Sequence, residues 1–315
     1  VDKRKPGPLK GPVASKETAA TENAKAVKQA TKAPPFEIHT PSTRKTFLKL
    51  MVYADYGVGK TFLMGTAASV PSMRDILMID AEAGDLTLDD DADSGYDFGV
   101  IDRVRVKNYG QVARVQEFLK SHCRLATEGD TEKMREREAW LKGVKIEDIK
   151  KPRHYKTVII DTLTEVEAFC MYQLLGVTDA TRIDEEVQSP EWAEYKRQHQ
   201  MVQRLVRGYR DLPMHLLVAC SRAYTQDDQK RFNYNPMLTG KLASQVQGFM
   251  DMVGYYVLRP GGEDGSDAAR RLYVQPVGRW NAKCRFTSYK KPYFDNPDMD
   301  DILKAVGLAG KASSK

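Results

Sequence analysis

Residues 53–61 read YADYGVGKT, between the apolar run FLKLMV and the segment FLMGTAASV. No other stretch limits the fold so tightly. A buried strand, a glycine-rich turn closing on Gly-Lys-Thr and a helix opening at the lysine let backbone N–H groups and a helix N-terminus surround phosphate oxygens. Gly57 and Gly59 supply the curvature and the close backbone approach. The expected nucleotide contacts are Gly57, Val58, Gly59, Lys60, Thr61 and Phe62. Lys60 would reach the β- and γ-phosphates of ATP, and the Thr61 hydroxyl would bind Mg²⁺. One position departs from G-x-x-x-x-G-K-[ST]: Ala54 stands where the first glycine is expected. A methyl group there is tolerated only at negative φ.

Such a site needs a carboxylate near the metal and a residue to orient or deprotonate water. Asp161 closes the apolar segment TVIID, as expected of a strand that delivers an acid beside the P-loop metal. Thr162, not an acid, follows it, and Glu165 lies on the next helical turn, where it is expected to face away from the phosphates. Glu82, in MIDAEAG, is the better candidate base, because it follows the strand after the P-loop helix. Ligands of doubly wound sheets sit at the carboxyl ends of the strands.

The rest of the chain suits that architecture. KTFLKLMVYA, DILMID (75–80), KTVIID (156–161) and MHLLVACS (214–221) read as buried strands, separated by the helical segments KTFLMGTAASV, LTEVEAFCMYQLL and 191–212. The 191–212 stripe, Trp192, Tyr195, Val202, Leu205, Val206, Tyr209 and Leu212, is expected to face the core. DMVGYYVLRP and RRLYVQP flank a glycine-rich turn and read as a hairpin. Residues 128–153 are a charge-dense insertion with Met134, Leu141 and Val144 on one face, expected to be a solvated helix or helical hairpin. The fold class is therefore α/β: a doubly wound, mostly parallel sheet with a C-terminal antiparallel hairpin.

Charge is unevenly spread. Of the net +6, residues 1–33 supply +5, and this stretch has no aromatic residue or hydrophobic period. A disordered basic tail over 1–40 and one ATPase domain over 41–315 are the expected organisation. No run of 18 apolar residues occurs, so no membrane span is expected, and the N-terminus lacks the apolar segment of a secretory signal. Cys123, Cys170, Cys220 and Cys284 are far apart with no CxxC, which points to reduced thiols in a cytoplasm.

The ordered set GVGKT, MIDAEAG, YKTVIIDTLTE, HLLVACS, LTGKLASQVQGFMDMVGYYV and WNAKCRF resembles the phage AAA-family ATPases of the RecA-core type, over roughly residues 44–290. That family includes proteins proposed to anneal single strands in phage recombination. The resemblance implies a RecA-like core that binds ATP and Mg²⁺ through Gly59, Lys60, Thr61 and Asp161, with Glu82 as catalytic base. It places Ser221, or Arg222 beside it, at a γ-phosphate sensor position. It also implies that Lys283 and Arg285 of NAKCRF act in trans on a neighbouring subunit's γ-phosphate, and hence a homo-oligomer, ring or filament. The location would then be a host bacterial cytoplasm.

Single-stranded DNA is the expected partner, and a single-strand binding protein a candidate second one. The segment SRAYTQDDQKRFNYNP (221–236) reads as a loop that combines Arg222, Lys230 and Arg231 with Tyr224, Phe232 and Tyr234. Cations for the backbone and aromatic faces for bases are the composition of a single-strand site. Two rival readings use the same P-loop. One is a nucleotide-gated DNA scaffold with little or no hydrolysis, and the other a P-loop kinase of a small molecule.

Overall fold

The computed structural model describes residues 47–88, 95–178, 180–226, 229–230, 232–260 and 268–308. The expected basic tail lies outside the described residues. Strands β1 (Lys49–Ala54), β2 (Ile76–Asp80) and β4 (Thr157–Asp161) are buried at every position, as is the first half of β5 (His215–Gln226). They run parallel, in the spatial order β1-β5-β4-β2, with β3 (Ile101–Arg105) parallel at the edge. Burial on both faces is why these strands read as unbroken apolar runs. On the other side of β1 lie β7 (Met252–Arg259), still parallel, then β8 (Ala269–Tyr273) and β10 (Tyr293–Asp295), both antiparallel to their neighbours. Two short strands complete the sheet: β6 (Phe232–Pro236) pairs with β5, and β9 (Lys283–Cys284) with β7.

Alternate side chains feed two cores. Met51, Tyr53, Val158, Ile160, Leu216 and Val218 pack with helices α2 (Tyr109–Glu128), α4 (Leu163–Leu174) and α5 (Trp192–Arg210). Leu50, Val52, Ala54, Met78 and Leu217 pack on the opposite face with α1 (Lys60–Gly65) and α7 (Met299–Ala305). The remaining helices are α3 (Thr131–Lys142) and α6 (Leu242–Phe249). Helices on both faces of a mostly parallel sheet are the doubly wound arrangement expected above. None of the described helices is long and apolar enough to cross a membrane.

Four expectations need correction. The P-loop helix was expected to run through Val70, but it stops at Gly65 and tightens to a 3-10 turn over Thr66–Ser69. The insertion forms α3, but its apolar residues do not share one face: Met134 is buried, Leu141 is exposed, and Val144 is exposed beyond the helix end. The inward position falls instead to Glu138, which pairs with Lys142 at 2.7 Å and accepts from Arg153 N at 2.7 Å. In α5 the apolar stripe is buried from Val202 onward, whereas Trp192 is 82% exposed and Tyr195 also stands in solvent, because the first turns of that helix project past the core. Segment 221–236 is a β-hairpin rather than a loop, as β5 continues to Gln226 and pairs Arg222 with Pro236 and Gln226 with Phe232.

Helix α7 backs the P-loop helix. Asp298 caps it by accepting from Asp301 N at 2.8 Å, and Met299 N donates to Thr66 Oγ1 at 2.9 Å. Met299, Ile302 and Leu303 are fully buried.

Candidate nucleotide site

β1 ends at Ala54, fully buried and level with Ser221 of β5. Ala54 is an extended strand residue without positive φ, so its methyl group costs no backbone strain. The turn that follows uses its two glycines as expected: Gly57 has φ +72° and Gly59 φ +102°. Gly59 then opens α1 from a left-handed conformation, and no side chain caps that end. The helix N-terminus therefore offers its free N–H groups to an anion.

Lys60 is nearly buried, and its Nζ donates to Asp55 O at 3.1 Å. Thr61 Oγ1 donates to Asp161 Oδ2 at 2.6 Å, which joins the P-loop helix to the end of β4 across an intervening strand. The other carboxylate oxygen, Asp161 Oδ1, is buried without a hydrogen-bond partner among the described residues. Burial pushes the Asp161 carboxyl up to about 6; the Thr61 bond opposes this, and the charge of Glu82 adds to it.

The end of β2 supplies the remaining acids. Asp80 pairs in register with Asp161, and Ala81 N donates to Asp161 O at 2.7 Å. Glu82 is exposed at this edge, and its Oε1 accepts from Thr162 Oγ1 at 2.8 Å. Glu165 lies close enough for the Glu82 charge, after burial, to raise its own carboxyl pKa.

Mg²⁺ fits this donor set. A buried orphaned carboxylate oxygen beside a hydroxyl suits a hard cation that takes few protein ligands and completes its shell with water and phosphate. Thr61 and Asp161 are those residues. No cluster of three or more His, Cys, Asp or Glu ligands exists among the described residues.

Ser221 Oγ is likewise buried without a partner, and Ser221 N donates to Thr164 Oγ1 at 3.0 Å. Arg222 turns back toward the P-loop: its Nη2 lies 2.6 Å from Asp55 Oδ2, and its Nη1 donates to Tyr255 OH at 3.0 Å. The guanidinium also covers the rings of Tyr224 and Tyr234 at 4.4 and 4.9 Å. Tyr234 stacks on Tyr255 at 5.3 Å. Further out on the hairpin, Lys230 is exposed, as are Tyr224 and Phe232. Arg231 lies outside the described residues.

Lys283 and Arg285 lie back from the P-loop end of the sheet, Arg285 level with the start of β1 and Lys283 midway along it. Lys283 pairs with Val253, whose partner in β1 is Met51, three residues before the P-loop strand ends. Lys283 Nζ donates to Gln247 O at 2.5 Å and Arg285 Nη2 to Gly248 O at 2.7 Å, so both engage the last carbonyls of α6. Sequence reasoning missed Asp55, Thr162 and Arg270. Thr162 was legible beside Asp161, but Arg270, which donates from Nε to Val58 O at 3.0 Å, comes from 212 residues away with no local motif.

Among solved structures, the chain is similar to the RadB recombinase, at 15% identity over 73% of this chain and 80% of that one, with a TM-score of 0.36. It is also similar to the flagellar accessory protein FlaH from Methanocaldococcus jannaschii, at 11% identity over 80% of this chain and 84% of that one, with a TM-score of 0.36. No curated protein matches. The AAA_24 family, described as an AAA domain, matches residues 46–286, a span that runs from the residues before β1 to just beyond β9. With its P-loop, its acid-bearing β4 and its parallel core inside that span, the chain belongs to the AAA domain family AAA_24.

Proposed function

We propose that this chain is an ATPase of the RecA-core type that works as a homo-oligomer on single-stranded DNA, in phage-type recombination, annealing or replication. The observation that carries the reading is the Thr61–Asp161 bond of 2.6 Å beside the orphaned Asp161 Oδ1. It supports reading the P-loop hydroxyl and the acid as the pair that would hold Mg²⁺ in a hydrolytic site. Bound Mg²⁺ would supply charge neutralisation for phosphoryl transfer. Lys60 exchanges the Asp55 carbonyl for phosphate oxygens, and Glu82, steered by Thr162, accepts the proton of the attacking water.

The β5–β6 hairpin supports the DNA part of the reading. Tyr224 and Phe232 are exposed stacking faces beside Lys230, and Arg222 ties their base to P-loop residue Asp55. The oligomer is supported by where Lys283 and Arg285 stand. Arg285 stands level with the start of β1 and Lys283 midway along it, both turned to α6 rather than to this chain's own P-loop, which favours a γ-phosphate in another copy as their target.

The test is steady-state ATP hydrolysis with and without single-stranded DNA, with Lys60→Ala as the blank. DNA-stimulated turnover that disappears in Lys60→Ala is expected. Nucleotide binding with no turnover in either condition would refute the hydrolytic part and favour the scaffold.

A further inference from the structure

The P-loop has a further basic neighbour besides Lys60 and Arg222. β8 is antiparallel to β7, and Tyr255 of β7 pairs both with Tyr53 of β1 and with Tyr273 of β8. Arg270 is three residues before Tyr273 and opposite Leu258, so it stands beyond the end of β1, at the height of the P-loop. Side chains two apart on a strand share a face. Leu272 is buried in the core under α1 with Leu50, Val52, Ala54 and Met64, so Arg270 projects on the P-loop helix's side of the sheet.

Its backbone is fixed on both sides. Arg270 N donates to Asn296 Oδ1 at 2.7 Å, and Asn296 N donates to Arg270 O at 2.6 Å. The side chain then lies against the phosphate loop. Its Nε donates to Val58 O at 3.0 Å, and a Cβ on Gly59 would meet that Nε at 3.4 Å. One of the five guanidinium donors is thus used, and the two Nη groups have no partner among the described residues. The neighbouring Arg271 differs: it bonds Asp295 at 2.6 Å and covers the Tyr293 ring at 4.5 Å.

We propose that Arg270 is a cis anion-binding residue of the nucleotide site, anchored on Val58 through Nε and donating through its Nη pair to a phosphate oxygen of a bound nucleoside di- or triphosphate. The inference rests on the reading of the P-loop as a nucleotide site. A planar fork with one arm pinned is suited to this task, since orienting the guanidinium costs little and phosphate accepts two parallel N–H bonds. It also differs in kind from the Lys283–Arg285 pair, because it needs no second copy of the chain.

The test is calorimetric titration of Mg·ADP into the full chain, using the wild type, Lys60→Ala, Arg270→Ala, Arg270→Gln and Arg271→Gln. Glutamine places an amide nitrogen where arginine has Nε, so Arg270→Gln can keep the Val58 bond while removing only the Nη donors. Both Arg270 variants are expected to bind Mg·ADP at least tenfold more weakly, with Arg271→Gln within twofold of wild type and the ligand-free Tm of Arg270→Gln unchanged. Wild-type affinity in Arg270→Gln would overturn the inference and reduce Arg270 to a prop for the loop. Equal losses in Arg271→Gln would overturn it too, by making the effect one of general charge. If Lys60→Ala abolishes binding while Arg270→Gln does not, only this inference fails. If the wild type itself does not bind, the nucleotide reading fails and this inference with it.

Discussion

The ion pair between Asp55 and Arg222 joins a P-loop residue to the base of the β5–β6 hairpin, and its strength can be worked out. The ion pair is 2.6 Å long, with the arginine side chain 12% exposed and the aspartate 50% exposed. Fully exposed pairs contribute about 0.2–1 kcal/mol, whereas losing one partner of a buried pair costs about 3–5 kcal/mol. A pair with one partner sheltered and the other half in water falls between, at about 1–2 kcal/mol. Arg222 also lies over two rings and bonds Tyr255, so Arg222→Ala should cost about 3 kcal/mol in all. The assay is a double-mutant cycle by urea unfolding of the wild type, Asp55→Ala, Arg222→Ala and the double variant. A coupling energy of about 1–2 kcal/mol, reduced in 0.5 M salt, is expected. The same single variants should hydrolyse ATP without DNA stimulation while retaining nucleotide affinity. A coupling below about 0.3 kcal/mol would refute the argument that this bond joins the loop to the hairpin.

Three further outcomes follow from the geometry. His215 accepts from Leu48 N at 3.0 Å, and burial followed by the Lys49 charge lowers its pKa from 6.5 to about 4. The unfolded chain therefore binds the extra proton between those values. Stability should be intact above pH 6.5 and fall by about 3 kcal/mol as pH drops to 4, with the slope flattened in His215→Gln, as measured by urea unfolding across pH. Gly65→Ala would press a methyl group to 2.6 Å from Leu88 Cδ2 and 3.1 Å from Phe98 Cε1, and should lower stability by about 1–3 kcal/mol in thermal melts. Lys60→Ala and Arg285→Ala, each inactive alone, should regain hydrolysis when mixed, because some interfaces then pair an intact P-loop with an intact arginine; no recovery would place the arginine's role within its own subunit.

The central strands were legible because each is buried on both faces: KLMVYA, ILMID and TVIID are apolar along their centres, with polar residues only at the first position, Lys49 and Thr157, and at the functional end. The P-loop, Asp161 and Glu82 were legible for a related reason. They are local punctuation at the ends of those runs, and the topology brings the ends to one edge. What escaped notice depends on pairing at long range. IDRVR in β3 alternates buried and exposed residues with two arginines outward, as an edge strand does, and shows no apolar run. Residues 221–236 look like a loop by composition, yet the strand continues because Phe232–Pro236 folds back to pair with it. Trp192 sits on the period of α5, but periodicity does not say where the underlying core stops. Arg270 depends on the register of a hairpin and a bond to Asn296, neither of which leaves a local trace.

The family match stops at residue 286, but the folded unit does not. Beyond it, Phe294, Met299, Ile302, Leu303 and Val306 all lie in the core that backs the P-loop helix. At about 1.5–3 kcal/mol for each buried side chain, their burial is worth roughly as much as the whole net stability of an ordinary domain. A fragment trimmed at Phe286 would keep every motif of the ATPase signature and lose Met299, whose amide N–H occupies the Thr66 hydroxyl at the far end of the nucleotide helix. For anyone expressing this protein, the catalytic signature and the minimal foldable segment are therefore different lengths of chain, and the second must extend at least through Leu308, whose amide closes the last turn on Leu303.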